Sequence, residues 1–344
     1  MKIAIFDIGT NSIHMLVVEI HHDLSFRILD HEKDTTRLGD GSFETKRLSR
    51  ERMARALKII QKFVKVASKY KVQKIVGVAT SAVRDAKNGS QFIRNVDKRT
   101  GAKIKVISGE EEGQLIFLGA ASGISIGRKR ALVIDIGGGS VELILGDQEK
   151  IFLNKSFPLG VARLTDHFIH KDPPSKKEIR RLEKHIEKTI KPTLKKIKKI
   201  GFSEVIGTAG TMINLSSIVY EDRVSKPFKL VNHFRMRAKD LKKVHKKLLK
   251  RNLRELLKMP GLDLKRADII TAGSVLVNTL MKLLKKDNLL VSNKGIREGS
   301  ILDFVVKNTA KTAGWPMEAY VQWFGQKPFF NGRIKMKKRG YVSF

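Results

Sequence analysis

The sequence predicts an α/β fold built from two related halves, and three observations predict it. Apolar, β-rich runs alternate with helix-periodic runs through the first half. The strand–turn–strand segment Phe6–Val17 recurs without gaps, 128 residues later, as Ile134–Leu145. A third apolar strand, beginning at Val205, again closes on a glycine turn, Gly207–Thr211. At about 100–200 residues per domain, 344 residues suffice for two domains.

The elements follow in order. Lys2–Phe6 and Ile13–Ile20 read as strands around the turn Asp7–Ser12. Residues 51–69 place Met53, Leu57, Ile60, Val64 and Ala67 at helical spacing. Lys74–Thr80 reads as a strand, Ser81–Lys87 as a helix stopped by Asn88-Gly89, and Lys103–Ile107 as another strand. Ser108–Gly113 opens an apolar helix at Leu115–Ala121. The second half is more helical. Residues 176–199 and 238–258 read as basic amphipathic helices, with Ile179, Leu182, Ile186, Ile190, Leu241, Val244 and Leu248 inward. Residues 267–284 form a less charged helix, and Leu289–Val291 a strand. These readings divide the chain into 1–124, 125–307 and a tail, 308–344. The tail concentrates both tryptophans without a clean period, and its role is left open.

Composition narrows the chemistry. A chain 41% hydrophobic and 30% charged can bury a core. The absence of cysteine excludes a disulfide scaffold, a thiol nucleophile and a zinc–thiolate site. No phosphate loop of the GxxxxGK[ST] type and no GxGxxG fingerprint occurs. His21, His22 and His31 lack zinc spacing and are expected in a solvated turn region. No stretch reaches the ~18 apolar residues of a membrane span. The short N-terminal apolar run ends at Asp7, unlike a signal peptide, so a cytoplasmic location and no membrane partner are expected. The net charge is +35. Residues 1–124 hold 22 basic and 14 acidic side chains, the remainder 47 and 20. Such a field attracts polyanions, although solvated lysine faces are the plainer reading.

Three glycine-bearing turns close strands, and two carry an aspartate at the strand end. Glycine lets backbone N–H groups approach an anion, and hydroxyls add donors. A carboxylate ending an apolar strand is costly unless paired, hydrogen-bonded or bound to a cation. Asp7 and Asp135 therefore suggest Mg²⁺ beside a phosphate chain. Glu142, in the returning strand, reads either as a solvated face or as a contact to metal or phosphate-bound water. Ser108 and Glu111 fit a capping box, which gives Glu111 a structural role. Glu112 lies one place further and has no such role, so it is the candidate general base. Arg84 reads as a phosphate grip or a surface ion pair.

Together, IFDIGTNSIHMLV (5–17), VATSAVRDAKN (78–88), VISGEEEGQLIFL (106–118), LVIDIGGGSVELIL (132–145), FPLGVARL (157–164), IGTAGT (206–211) and VSNKGIREG (291–299) resemble the exopolyphosphatase / guanosine pentaphosphate phosphohydrolase family. That family lies within the actin–sugar kinase–Hsp70 superfamily. The resemblance implies two actin-like (ribonuclease H-like) α/β domains with an active-site cleft between them. It implies Glu112 as catalytic base and Arg84 as a catalytic grip on phosphate. Phosphate contacts would fall on Thr10, Asn11, Ser12, Gly137, Gly138, Gly139, Ser140, Gly207, Thr208, Gly210, Thr211 and Arg297. Asp7, Asp135 and Glu142 would serve Mg²⁺ or another divalent cation. The implied reaction is hydrolysis of the terminal phosphoanhydride of inorganic polyphosphate. Removal of the 5′-phosphate from pppGpp to give ppGpp is the alternative. An acceptor-dependent kinase and a non-catalytic polyphosphate or alarmone binder also stay open. No specific nucleic acid is expected, and a homodimer is compatible with the reading.

Overall fold

In a computed structural model, residues 1–21, 25–124, 126, 129–224, 226 and 234–313 are described, with side chains through Asn308. The first half runs β1 (Lys2–Ile8), β2 (Ile13–Ile20), β3 (Phe26–Asp34), α1 (Ser42–Thr45), α2 (Arg50–Lys69), β4 (Lys74–Ala79), α3 (Ser81–Arg84), α4 (Gly89–Thr100), β5 (Lys103–Val106) and α5 (Gly109–Gly123). Its sheet has the order β3-β2-β1-β4-β5. The β1–β2–β3 meander is antiparallel, and β4 and β5 add parallel. This is the ribonuclease H-like arrangement that the resemblance implies.

The second half repeats it. It runs β6 (Ala131–Ile136), β7 (Val141–Gly146), β8 (Ile151–Phe157), α6 (Val161–Phe168), α7 (Lys176–Ile200), β9 (Glu204–Thr208) and α8 (Ala209–Val224). Then come β10 (Phe234–Arg237), α9 (Ala238–Leu248), α10 (Leu253–Leu256), α11 (Ile270–Leu284), β11 (Asn288–Val291) and α12 (Ile296–Ala313). Read from the meander, the order is β8-β7-β6-β9-β11, with β10 added antiparallel at the far edge. The 128-residue repeat is thus a repeat of two hairpins in equivalent places. Their registers match: Asp7 lies opposite His14, and Asp135 opposite Glu142.

Packing follows the predicted faces. The inward positions of α7 and α9 join the largest core cluster, and α11 is buried along almost its whole length. Strands β6 and β7 bury every residue, Asp135 and Glu142 included. The crossings between halves are α5 and α12. Gly119 and Gly299 let them touch: a Cβ on Gly299 would lie 1.8 Å from Leu115 O of α5, and one on Gly119 1.8 Å from the carbonyl oxygen of Gly295, just before α12. Although α12 follows the second sheet in sequence, Ile301, Leu302, Val305 and Val306 pack on Ile3, Ile5, Leu16 and Val18 of the first.

Three expectations are corrected. Asn88-Gly89 does not stop a helix; it opens α4, and the preceding helix is the single turn 81–84. Asn88 instead brackets Leu48, accepting its N–H and donating to its carbonyl, each at 2.9 Å. The expected helix 238–258 breaks at Arg251-Asn252, where Asn252 starts α10 through a capping box with Glu255. His31 lies on β3 rather than in a turn. His22 and residues 314–344 lie outside the described residues.

Candidate active site

Each sheet delivers its Asp–Gly hairpin to the same cleft. The two turns touch: a Cβ on Gly139 would lie 2.4 Å from Ser81 Oγ and 2.6 Å from Thr10 Oγ1. Only glycine fits between them. Beneath it, Thr10 Oγ1 and Ser81 Oγ are hydrogen-bonded at 2.9 Å. Around this floor opens a cavity of about 610 Å³. Of the sequence-predicted residues, Asp7, Thr10, Asn11, Ser12, Glu112, Asp135, Gly137, Gly138, Ser140, Thr208, Gly210 and Arg297 line it. Five do not reach the wall: Arg84, Gly139, Glu142, Gly207 and Thr211. Gly207 instead leaves room for the Met212 side chain, and Thr211 is buried at the start of α8.

The third turn differs from a hairpin. Strand β9 passes directly into α8, and Ala209 takes φ +68°, a left-handed conformation costly for a residue with a Cβ. This bend brings Thr208, Ala209 and Gly210 onto the cavity wall. Thr208 Oγ1 donates to Lys294 O at 2.8 Å, tying the bend to the segment before α12.

The acidic wall is ordered by burial. The capping box forms as expected: Glu111 N donates to Ser108 Oγ, and Ser108 N to Glu111 Oε2. Glu112 therefore turns inward, 7% exposed, onto the cavity. Arg84 Nη1 donates to Glu112 Oε2 at 2.8 Å and to Ile107 O at 3.0 Å. Arg84 thus grips the glutamate rather than facing the cavity. Burial and the neighbouring Glu142 push the Glu112 carboxyl well above the ordinary range, and Arg84 opposes them. Glu142 is wholly buried behind Asp135; Ser156 Oγ donates to its Oε1 at 2.7 Å, while Oε2 has no partner. Burial, with the Glu112 and Asp7 carboxyls nearby, raises Asp135 to about 8; burial and Asp135 raise Glu142 to about 8; and burial raises Asp7 to about 6.

Among the described residues, no three histidine, aspartate or glutamate side chains form an all-protein metal cage. Asp7 and Asp135 face the cavity, and neither carboxylate accepts a protein hydrogen bond among the described residues. Two unsatisfied, desolvated carboxylates fit Mg²⁺, which takes one or two carboxylates and completes its shell with water and phosphate oxygens.

Beside these carboxylates the wall is basic, and sequence reasoning missed most of it. His14 and His31 stack at 5.4 Å between ring centroids. Arg297 Nη1 lies 3.3 Å from His14 Nδ1 and 3.0 Å from His31 Nε2. An arginine only donates, so a ring nitrogen bonded to it accepts and carries no proton; the same two nitrogens lie 3.1 Å from each other, so the three contacts cannot all be hydrogen bonds at once. Burial, with Arg297 close by, lowers His14 to about 2 and lowers His31 as well. Lys33 and Arg266 complete this wall. One signal pointed to His14: the repeat superposes it on Glu142. Nothing in the sequence singled out Arg266 or Ser81. Across the cleft mouth, Arg37 grips Asp268 through two hydrogen bonds of 2.6 and 2.9 Å.

A cleft that sets clustered carboxylates against hydroxyl, glycine and arginine donors, on two duplicated α/β halves, defines an enzyme that handles phosphoryl groups. The chain belongs to the Ppx/GppA phosphatase family, which it matches over residues 16–308, and it is a phosphoanhydride hydrolase by class. It is 28% identical over 313 residues to exopolyphosphatase 2 of Mycobacterium tuberculosis, covering 88% of this chain and 98% of that protein. It is 30% identical over 302 residues to a guanosine-5′-triphosphate,3′-diphosphate pyrophosphatase of Vibrio parahaemolyticus, covering 88% of this chain but only 59% of that one. Among solved structures, an exopolyphosphatase from Cytophaga hutchinsonii superposes with a TM-score of 0.83 at 28% identity, covering 89% of this chain and 98% of that one.

Proposed function

We propose that this chain is an exopolyphosphatase, releasing inorganic phosphate from the end of a polyphosphate chain. The observation that carries the reading is Glu112: a buried carboxylate on the cavity wall, held by Arg84, facing donor-rich turns from both halves. Thr10, Asn11, Ser12, Gly137, Gly138, Ser140 and the Thr208–Gly210 bend would bind the terminal phosphates through N–H and hydroxyl donors. Glu112 orients a water and takes its proton as the water oxygen bonds to the terminal phosphorus. The bridging P–O bond breaks, and its electrons stay on the oxygen that becomes the new chain end. Asp7 and Asp135 would hold Mg²⁺ in the cavity, with Glu142 supporting them from behind. The ion supplies charge neutralisation on the phosphoryl oxygens.

A second reading, pppGpp hydrolysis, draws on the shape of the cavity. Beyond the phosphate turns it extends past Ile213, Asn214 and Leu262. Asn214 Oδ1 is buried there without a partner. That lobe has apolar and hydrogen-bonding groups suited to a nucleoside. The test is phosphate release from long-chain polyphosphate and from pppGpp with Mg²⁺, with Glu112→Gln as control. Release from polyphosphate, lost in the variant, is expected. Release from pppGpp alone would transfer the function to the second reading. No release from either would overturn both.

A further inference from the structure

Helix α7 carries a charge pattern that the active site does not use. Steps of four and three residues run from Lys177 to Lys198 through Arg181, Lys184, Lys188, Lys191 and Lys195. A repeat of seven on a 3.6-residue helix stays on one face, so these seven cations form one stripe about 32 Å long. All seven are exposed. The opposite face, from Ile179 to Ile197, is sealed in the core, which fixes the stripe outward. Lys191 pairs with Glu187 at 3.4 Å. The other six have no ion-pair partner among the described residues, so the charge is left for something outside the chain. No α7 residue lines the cavity.

We infer that the α7 stripe is an exosite for inorganic polyphosphate, holding the body of the chain while its end is processed in the cleft. This rests on the polyphosphatase reading. The complementary partner is a long, flexible polyanion, because the cations form a line rather than a cluster. Single-stranded nucleic acid is also linear, but its binding surfaces add aromatic side chains on which bases stack. Neither α7 nor the basic helix α9 contains Phe, Trp or Tyr. A surface that reads charge alone suits a polymer that has charge and no bases. Helix α6, which packs on α7, presents Asp166 near Asp40, Glu44 and Asp268. These acids make a continuous anion groove unfavourable. The exosite therefore acts as a tether, raising the local concentration of chain ends at the cleft. Chains too short to span both sites gain nothing from it.

The experiment compares the intact protein with the triple variant Lys184→Glu, Lys188→Glu, Lys195→Glu, with Lys→Gln at the same positions as a milder pair. None of these residues touches the cleft, and unchanged thermal melting checks folding. KM for polyphosphate of several hundred phosphates should rise at least about tenfold in the triple variant, while kcat/KM for tripolyphosphate stays within twofold. Binding of long polyphosphate, measured in chelator without turnover, should lose salt dependence. The slope of log K against log salt should fall in magnitude from about 5 to about 3 in the Lys→Gln variant, at about 0.7 per cation engaged, and further in the Lys→Glu variant. An equal effect on both substrates, or an unchanged slope, would overturn the exosite. Competition by polyuridylate at equal charge concentration would overturn its assignment to polyphosphate. Because binding is measured without hydrolysis, a protein that cleaves neither substrate would refute the polyphosphatase reading while leaving the exosite still decided by the slope.

Discussion

The two hairpins that build the cleft have the same backbone and opposite chemistry. In the first, Asp7 faces His14 across the strand pair; in the second, Asp135 faces Glu142. One substitution in the duplicated unit changes the wall. On the first side, His14 and His31 lie within hydrogen-bond distance of Arg297, which in turn draws the Asp7 carboxyl downward. On the second side, Glu142 adds a buried negative charge behind Asp135 and Glu112. The lesson is that each wall is built from both halves: Arg266 and Arg297 of the second join Lys33, His14 and His31 of the first, and Asp7 and Glu112 of the first join Asp135 and Glu142 of the second. The backbone supplies donors in both turns, and one position per hairpin, His14 or Glu142, sets what its neighbours must tolerate.

The largest expected effect tests the acidic wall directly. Glu112→Gln keeps the size and the Arg84 contact but cannot take a proton, so kcat should fall by about 10²–10⁴-fold with little change in substrate binding. A rate near that of the parent would remove Glu112 from the mechanism. Next comes Glu142→Gln. The Glu142 charge helps to raise the Glu112 carboxyl, so its removal lets Glu112 ionise at lower pH. The acid limb of the kcat/KM profile should move to lower pH, whatever happens to the maximum rate. A limb that stays in place would uncouple the two glutamates. On the basic wall, Arg297→Gln should raise KM by about tenfold, the loss of one charge-assisted hydrogen bond to phosphate. Changes in kcat alone would place Arg297 in the chemistry instead.

Much of this contrast was legible in the sequence, and the rest was not for identifiable reasons. The repeat revealed both hairpins because strand period and turn chemistry are local. Glu112 was found by elimination, since the Ser108–Glu111 capping box explains one acid of the run and leaves the next. Arg84 was singled out, but its partner was not, because Glu112 lies 28 residues away and only the fold brings them to 2.8 Å. His31 and Arg266 reach the cavity from the edge strand β3 and a single 3₁₀ turn, Leu264–Arg266, where no periodicity marks a functional side chain. Asn88-Gly89 carried the local signature of a helix stop. The contact with Leu48, 40 residues earlier in the chain, overrode that signature.

The smallest expected effect separates the walls by stability rather than rate. In metal-free protein, Asp135 and Glu142 ionise near 8 when folded and near 4 when unfolded. The folded form binds more protons across that window, so stability falls as pH rises from about 4 to about 8. His14 has the opposite sign. It titrates near 2 when folded against its ordinary 6.5, so the unfolded chain takes up the proton first and stability falls as pH drops below about 6.5. Thermal melting in chelator should therefore show losses on both sides, and each wall should own one of them. Glu142→Gln should flatten part of the alkaline loss, because Asp135 remains, and leave the acid one. His14→Gln should flatten only part of the acid loss, by a few degrees at about 2–4 °C per kcal/mol, because His245, lowered to about 4 in the helical core, remains. If His14→Gln changed the alkaline limb instead, the two hairpins would be electrostatically one unit, and the division between walls would fail.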